Sequence, residues 1–390
     1  MKKVLRGAGQ VVIIAAITLA LDFTAMNAMF PGLKRALSAP GEGNDRAYLP
    51  ALYDHDLLPN ENTTRVWGDV VYPWRTDRFG FRTGECAPSE PDKDKENIFV
   101  IGDSFTEALG SSFEQSFPGL MACDAARQGK ALWNLGVASY SPAIYHRKIE
   151  AAAKRLGITP SEIFVFLDLS DIDDDANVYR VEGDRVFRAG TAIIPIDAKG
   201  QAPPPPFDLG TFILHNFMTG RLVHDLYLTA SLRFAQSVGK PRARWTIDPA
   251  LMESWGRRGL EVAAANLDRI VALCREWDCH LTLVVYPWPD NVVEGDRDSI
   301  QVTYWRDWAG ARDVRFIDGF APFFREPAAT VLRKYYIAGD IHFTDLGNRL
   351  LYEEVKSAIG SRTVGSRQSS TASDGHGRKK DATSSSAHRD

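Results

Sequence analysis

The sequence predicts an α/β protein in three layers, a parallel sheet with helices on both faces, and three observations predict it. Short apolar runs recur without polar alternation, as strands buried on both faces require; "NIFVI" (97–101), "EIFVFLDL" (162–169) and "CHLTLVVYPW" (279–288) are the clearest. Segments with apolar residues at helical spacing separate these runs, and strand–helix alternation implies parallel pairing. Of the 390 residues, 44% are hydrophobic and 25% charged, enough for one large core with additions.

Residues 1–30 differ in kind from the rest. Lys2, Lys3 and Arg6 precede an apolar stretch from about Gln10 to Phe30, long enough to cross roughly 30 Å of hydrocarbon as a helix. A cleaved secretory signal and an uncleaved anchor compete. Met26 stands where the small-x-small cleavage pattern wants a small residue, so the expectation is a single-pass inner-membrane anchor. The positive-inside rule then puts the remaining chain in the periplasm or another extracytoplasmic space. Four cysteines suit that compartment. Cys274 and Cys279 bracket "REWD", Cys86 and Cys123 flank the first strand, and two disulfides compete with buried free thiols. No zinc-ligand spacing is present.

Residues 31–96 read as a linker followed by a turn-rich extension. The α/β unit follows over 97–360. Its first strand is 97–101, and a helix near 114–128 has Phe113, Phe117, Leu120 and Met121 at helical spacing. Strand "ALWNLGV", a helix over 142–156 and strand "EIFVFLDL" come next. An insertion at about 177–250 holds a hairpin ("YRVEGDRVFRAG"), a flexible "GQAPPPPFDLG" and an apolar helix near 211–236. Helix 256–276, strand "CHLTLVVYPW", helix 298–309, strand "VRFIDGF" and helix 345–359 complete a flavodoxin-like order of elements. Residues 361–390 read as a disordered tail. The net charge of −4 implies no broad basic face, so nucleic acid is not an expected partner. No phosphate-cradling glycine loop appears, and no cofactor is expected.

Ser104 lies just past the C-terminal end of the first strand, where open α/β sheets bind ligands. A serine hydroxyl is a weak nucleophile until a base takes its proton. The best base is His342 in "GDIHFTDLGN", before the last helix, with Thr344 as its N-cap. Asp340 is two residues earlier; in extended chain it projects the same way as His342 and can fix the imidazole tautomer. A turn serine, and a capping Asp beside a surface His, are the plainer alternatives for each half alone. Their pairing is much rarer than either part.

With those residues in place, the chain resembles the SGNH (GDSL-type) hydrolase superfamily of serine esterases and acyltransferases over roughly 97–360. "GDSFTEALGSSFEQSFPGLM" resembles the nucleophile block, with Phe105 where the family name has Leu. "WNLGVASYS", "FLDLSDIDDD" and "GDIHFTDLGN" match the second, third and last blocks. "TDRFGFRTGE" resembles the segment before the nucleophile in membrane-anchored bacterial members, some of which O-acetylate or deacetylate envelope polysaccharides. The resemblance implies Ser104 as nucleophile, His342 as base and Asp340 as its orienting carboxylate. It also implies an oxyanion hole from Ser104, Ser139 (for the second-block glycine) and Ser170 (for the third-block asparagine). The one-residue shift of the Asp, with Gly339 at the commoner position, favours the polysaccharide-acetylating branch. An acylated glycan or small ester is the implied substrate; a catalytically degenerate glycan-binding scaffold is the alternative.

Other residues carry weaker signals. Tyr286 and Trp288 in "VYPWPDN" suit either a sugar-stacking platform or core packing. Asp171, Asp173, Asp175, Asn177 and Glu182 approach a calcium-loop pattern, but Ala176 stands where that loop needs glycine; a solvated acidic loop over Asp171–Asp175 is the expectation. A metal-dependent hydrolase built on Asp340 and His342 is a third reading of the site.

Overall fold

A computed structural model describes residues 52–68, 70–189 and 241–371, the strand 46–49, and parts of 13–29 and 213–220. Two hairpins come first: β1 (Arg46–Leu49) with β2 (Tyr53–Leu57), and β3 (Asn62–Trp67) with β4 (Val70–Arg75). The alternating part follows as β5 (Asn97–Ile101), α1 (Ser104–Glu107), α2 (Phe117–Arg127), β6 (Ala131–Asn134), α3 (Pro142–Leu156) and β7 (Glu162–Leu167). The hairpin β8 (Tyr179–Glu182) and β9 (Arg185–Arg188) interrupts it. Then come α4 (Arg257–Trp277), β10 (His280–Val285), α5 (Pro289–Glu294), α6 (Ile300–Gly310), β11 (Arg315–Asp318), α7 (Ala328–Tyr335) and α8 (Asp345–Thr371).

Strands β6-β5-β7-β10-β11 form one sheet in that order, every neighbour parallel. This is the flavodoxin-like 2-1-3-4-5 order. The chain steps outward from β5 to β6 and then back across β5 to β7. Right-handed crossovers therefore place α2 on one face and α3 and α4 on the other. Helix α8 packs beside α2, and α3 packs on α4. The central strands are apolar because both faces are covered: Phe99, Val100, Ile101, Val165, Phe166 and Leu167 have no exposed surface. The reversal between β5 and β7 leaves a crevice at their C-terminal ends, where such sheets take ligands.

The extension read as linker and turns over 31–96 packs on this unit through its described part. On β2, Asp56 pairs with the buried Lys148 of α3 and accepts the Tyr53 hydroxyl at 2.9 Å. Arg82 is buried over the Trp74 ring and donates to the Pro73 and Ser111 carbonyls at 3.2 Å each. Cys86–Cys123 and Cys274–Cys279 are disulfides, with Cα atoms 4.9 and 4.6 Å apart.

The strands and long helices lie where the apolar runs place them. The short helices α5 and α7 have too few turns to show a periodicity and are not legible in the sequence. The last helix continues to Thr371, into the segment read as tail. Residues 372–390, the proline-rich 200–210 and most of the apolar helix 211–236 lie outside the described residues. At the N-terminus, a helix precedes a π-helical turn at Ala25–Met29, with Ile13, Ile14, Ile17 and Leu21 exposed. Asp22 there accepts the Met218 and Thr219 N–H groups at 2.9 and 3.0 Å. Among the described residues no helix is long and apolar enough to cross a membrane, and the stretch expected as an anchor includes positions outside them.

Candidate active site

Strand β5 ends at Ile101 and the chain turns at Gly102. A Cβ at 102 would stand 2.1 Å from Thr106 Oγ1 and 2.8 Å from the Phe166 carbonyl, so close approach of the two strand ends requires glycine here. Asp103 caps α1 by accepting the Phe105 N–H at 3.0 Å. Ser104 is therefore the first residue of a helical turn, projecting into the crevice between β5 and β7.

His342 reaches the same crevice from the α7–α8 loop. Gly339, at φ +73°, makes the tight turn, and the loop closes with the Ile337 N–H donating to the His342 carbonyl at 2.9 Å. Thr344 caps α8, accepting the Gly347 N–H at 3.2 Å. His342 Nε2 lies 2.8 Å from Ser104 Oγ, and His342 Nδ1 lies 2.5 Å from Asp340 Oδ1. That same Asp340 oxygen accepts the His342 backbone N–H at 2.9 Å. A carboxylate only accepts, so Nδ1 carries the ring hydrogen and the Nε2 lone pair faces the serine hydroxyl. Both ring nitrogens are thus engaged, which leaves none for the metal-ligand reading of Asp340 and His342.

The crevice holds a cavity of about 250 Å³ lined by Ser104, His342, Trp67, Leu109, Ser139, Trp288 and others. The Ser104 and Ser139 N–H groups have no acceptor among the described residues. Ser139 sits at φ +65°, a left-handed conformation that favours glycine and turns the loop after β6 toward the cavity. Ser170 also lines the cavity, but its hydroxyl donates to Asp168 Oδ2 at 2.7 Å, so its hydrogen is already engaged.

Beneath the serine lies a cluster of carboxyl groups. Oxygens of Asp103, Asp168 and Asp171 come within 4.8 Å of one another, all buried. Burial, and then the charge of Asp168 beside it, pushes Asp103 well above the ordinary carboxylate range. Burial, then Asp103 and Asp168, does the same to Asp171. Asp171 Oδ2 accepts the Tyr145 hydroxyl at 2.6 Å and the Asp168 N–H at 3.0 Å, whereas its buried Oδ1 has no partner among the described residues.

Two sequence readings are corrected by this arrangement. The segment Asp171–Asp175 is not a solvated acidic loop. Asp175 accepts from Ser141, Ala143 and Asn266, and burial pushes it up to about 6. Asp174, also buried, pairs with Arg242 at 2.6 Å and is pushed up to about 7. Nor do Tyr286 and Trp288 form a sugar-stacking platform: Tyr286 has no exposed surface, and Trp288, 2% exposed, contributes only to the cavity wall. Their polar ends serve the carboxyl cluster instead. The Tyr286 hydroxyl donates to Asp103 at 3.3 Å, and the Trp288 indole N–H donates to Asp168.

Sequence reasoning missed Trp67, which stands edge-on to the His342 ring from the β3–β4 hairpin. It also missed Arg242, which enters the cavity wall from the end of the insertion. Neither has a local signal, since each arrives through long-range packing.

No family model and no curated protein matches the chain. Solved structures do match. One is TesA, at 13% identity over 68% of this chain and 98% of that one, with a TM-score of 0.36. Another is a catalytic mutant of Axe2, an acetylxylan esterase from Geobacillus stearothermophilus, at 12% identity over 68% and 94%, TM-score 0.36. A third is a GDSL-like lipase from Bacteroides thetaiotaomicron, at 10% identity over 70% and 93%, TM-score 0.37. Likeness at this level carries no argument about chemistry, which rests on the geometry of Ser104, His342 and Asp340.

Proposed function

We propose that the protein is a serine-dependent ester hydrolase or O-acyltransferase of the SGNH type, acting on short acyl esters of an envelope glycan. The observation that carries the proposal is the hydrogen-bonded line from Asp340 through His342 to Ser104, at 2.5 and 2.8 Å. Ser104 Oγ attacks the ester carbonyl as His342 Nε2 takes its proton, and Asp340 stabilises the imidazolium that forms. The oxyanion is held by the Ser104 and Ser139 N–H groups. Collapse breaks the ester C–O bond, and His342 returns the proton to the leaving alcohol, leaving an acyl-serine. Water or a sugar hydroxyl then attacks the acyl carbon and gives its proton to His342; the acyl–Ser104 bond breaks, His342 returns the proton to Ser104 Oγ, and the free acid or a new ester leaves.

The cavity of about 250 Å³, walled by Trp67 and Trp288, favours a small acyl group such as acetyl. The two disulfides and the apolar N-terminal stretch support an extracytoplasmic, membrane-anchored chain, and so an envelope substrate.

The test is turnover of p-nitrophenyl acetate, with and without a glycan acceptor, together with fluorophosphonate labelling of wild type and Ser104→Ala. Turnover and labelling that vanish in Ser104→Ala support the reading. A folded wild type that neither turns over nor labels refutes it, and leaves the chain a glycan-binding scaffold.

A further inference from the structure

We infer that His55, on strand β2 of the N-terminal extension, is a positioning residue that holds the Ser139 N–H as an oxyanion donor. The inference rests on the serine-esterase reading above and assigns the extension a part in catalysis.

The argument turns on one peptide unit. His55 Nε2 lies 2.8 Å from the Ala138 carbonyl oxygen. That carbonyl and the Ser139 N–H are opposite ends of the same planar trans amide, so fixing the direction of one fixes the other. A carbonyl only accepts, so Nε2 donates. The other ring nitrogen, Nδ1, donates as well, to Asp54 Oδ2 at 2.8 Å, and that carboxylate oxygen also accepts Arg188 Nε at 3.0 Å. The imidazole is thereby locked between a carboxylate and the backbone. Its ring is further set edge-on to Tyr140, whose hydroxyl donates to the His55 carbonyl at 2.6 Å.

The neighbouring backbone groups are held as well. The Ala138 N–H donates to the buried Glu107 Oε2 at 2.5 Å, and the Ser139 carbonyl accepts the Tyr179 hydroxyl at 2.6 Å. Glu107 closes α1, the turn that carries Ser104, so one short helix ties the nucleophile to the oxyanion loop. Of the four polar backbone groups of Ala138 and Ser139, the one with no partner among the described residues is the Ser139 N–H, and Ser139 lines the cavity beside Ser104. The loop has reason to be held: Ser139 at φ +65° occupies a conformation a side chain disfavours, and a free loop would leave it. Donation to the Ala138 carbonyl also polarises the amide and strengthens its N–H as a donor. The Asp54–His55 pair resembles half of a triad, yet its far end meets a carbonyl rather than a nucleophile.

The experiment compares wild type, Ser104→Ala, His55→Leu and His55→Gln with p-nitrophenyl acetate, and records the melting temperature of each. His55→Leu fills the space without a donor. It should lower kcat by about 10- to 100-fold, approaching the loss of one oxyanion donor, with KM within about threefold. His55→Gln places an amide N–H near the Nε2 position and should restore kcat to within about fivefold of wild type. If His55→Leu does not fold, His55→Asn, whose shorter arm leaves the carbonyl without a donor, takes the same readings. A folded donor-less variant with wild-type kcat, or a folded His55→Gln as slow as that variant, overturns the inference alone. A wild type that neither turns over nor labels with fluorophosphonate overturns the esterase reading and this inference with it.

Discussion

Trp67 stands edge-on to His342, with ring centroids 5.1 Å apart and planes at 89°. Phe105 packs against the same imidazole at 4.8 Å, so the ring is clamped between an indole from the β3–β4 hairpin and the residue after Ser104. The hairpin thus does two things for the site: it restricts the histidine ring and closes one wall of the cavity. Trp67→Ala should lower kcat on acetate esters while opening room for longer chains. The ratio of kcat/KM for p-nitrophenyl butyrate over acetate should rise by about tenfold, the scale of one or two methylenes in an apolar pocket. A chain-length series checks it; an unchanged ratio would show that Trp67 does not face the acyl group.

Asp340 accepts two hydrogens on one oxygen, from the ring and from the backbone of His342. An asparagine carbonyl can accept both, so Asp340→Asn keeps the geometry and removes the charge. Since the imidazolium forms only in the transition state, the loss should fall on kcat rather than KM. A drop of about 10²- to 10⁴-fold is expected, the lower end reflecting partial exposure of Asp340. Steady-state kinetics at neutral pH measure it.

The family resemblance puts Ser170 where an oxyanion donor is expected, but its hydroxyl donates to Asp168 at 2.7 Å. Ser170→Ala should therefore lower kcat less than about tenfold, well short of the 10²- to 10³-fold typical of a working donor. A larger kinetic loss in a folded variant would mean that the hydroxyl turns toward the substrate during the reaction.

What the sequence could disclose follows from how far each signal travels along the chain. The sheet was legible because each central strand is buried on both faces and so reads as an unbroken apolar run, as in Phe99–Ile101 and Ile163–Leu167. Ser104, Asp340 and His342 were legible because each sits in a short motif at an element boundary. Trp67 and His55 were not, since an aromatic or a histidine in a hairpin announces nothing about the distant loop it will touch. The acidic run 171–175 misled because composition alone reads five carboxylates in ten residues (166–175) as solvated. Their burial depends on Tyr145 and Ser141 from the β6–β7 crossover, and on Asn266 from α4. Tyr286 misled likewise: an aromatic after a strand can face the crevice or the core, and the sequence does not fix which.

The Cys86–Cys123 disulfide ties the end of the extension to α2 across 37 residues. By loop-closure entropy it contributes about 4 kcal/mol. Because the linked extension carries Trp67 and His55, reduction should lower both the melting temperature and kcat. The Cys86→Ser/Cys123→Ser pair, compared with wild type in denaturant melts with and without reductant, separates this bridge from Cys274–Cys279. That bridge closes only five residues and should contribute roughly half as much.

The carboxyl cluster beneath the serine predicts an unusual pH dependence of stability. In the unfolded chain Asp171 ionises near the ordinary aspartate value of 3.8, whereas in the folded protein burial and the neighbouring Asp103 and Asp168 hold its proton to a much higher pH. Between those limits the native state binds more protons than the unfolded state. Stability from this group is therefore present below about pH 4 and is lost as pH rises through the window, by about 1.4 kcal/mol per unit at most. Asp103 acts in the same direction, and Asp174 and Asp175 do so up to about pH 7 and 6. Asp171→Asn mimics the protonated acid: its carbonyl accepts from Tyr145 and Asp168 N–H, and its amide can donate within the cluster. Its urea midpoint should match that of wild type near pH 4 and exceed it increasingly toward pH 8. A constant difference across that range would place the charge elsewhere, and a loss that grows with pH would mean that the folded protein needs Asp171 ionised.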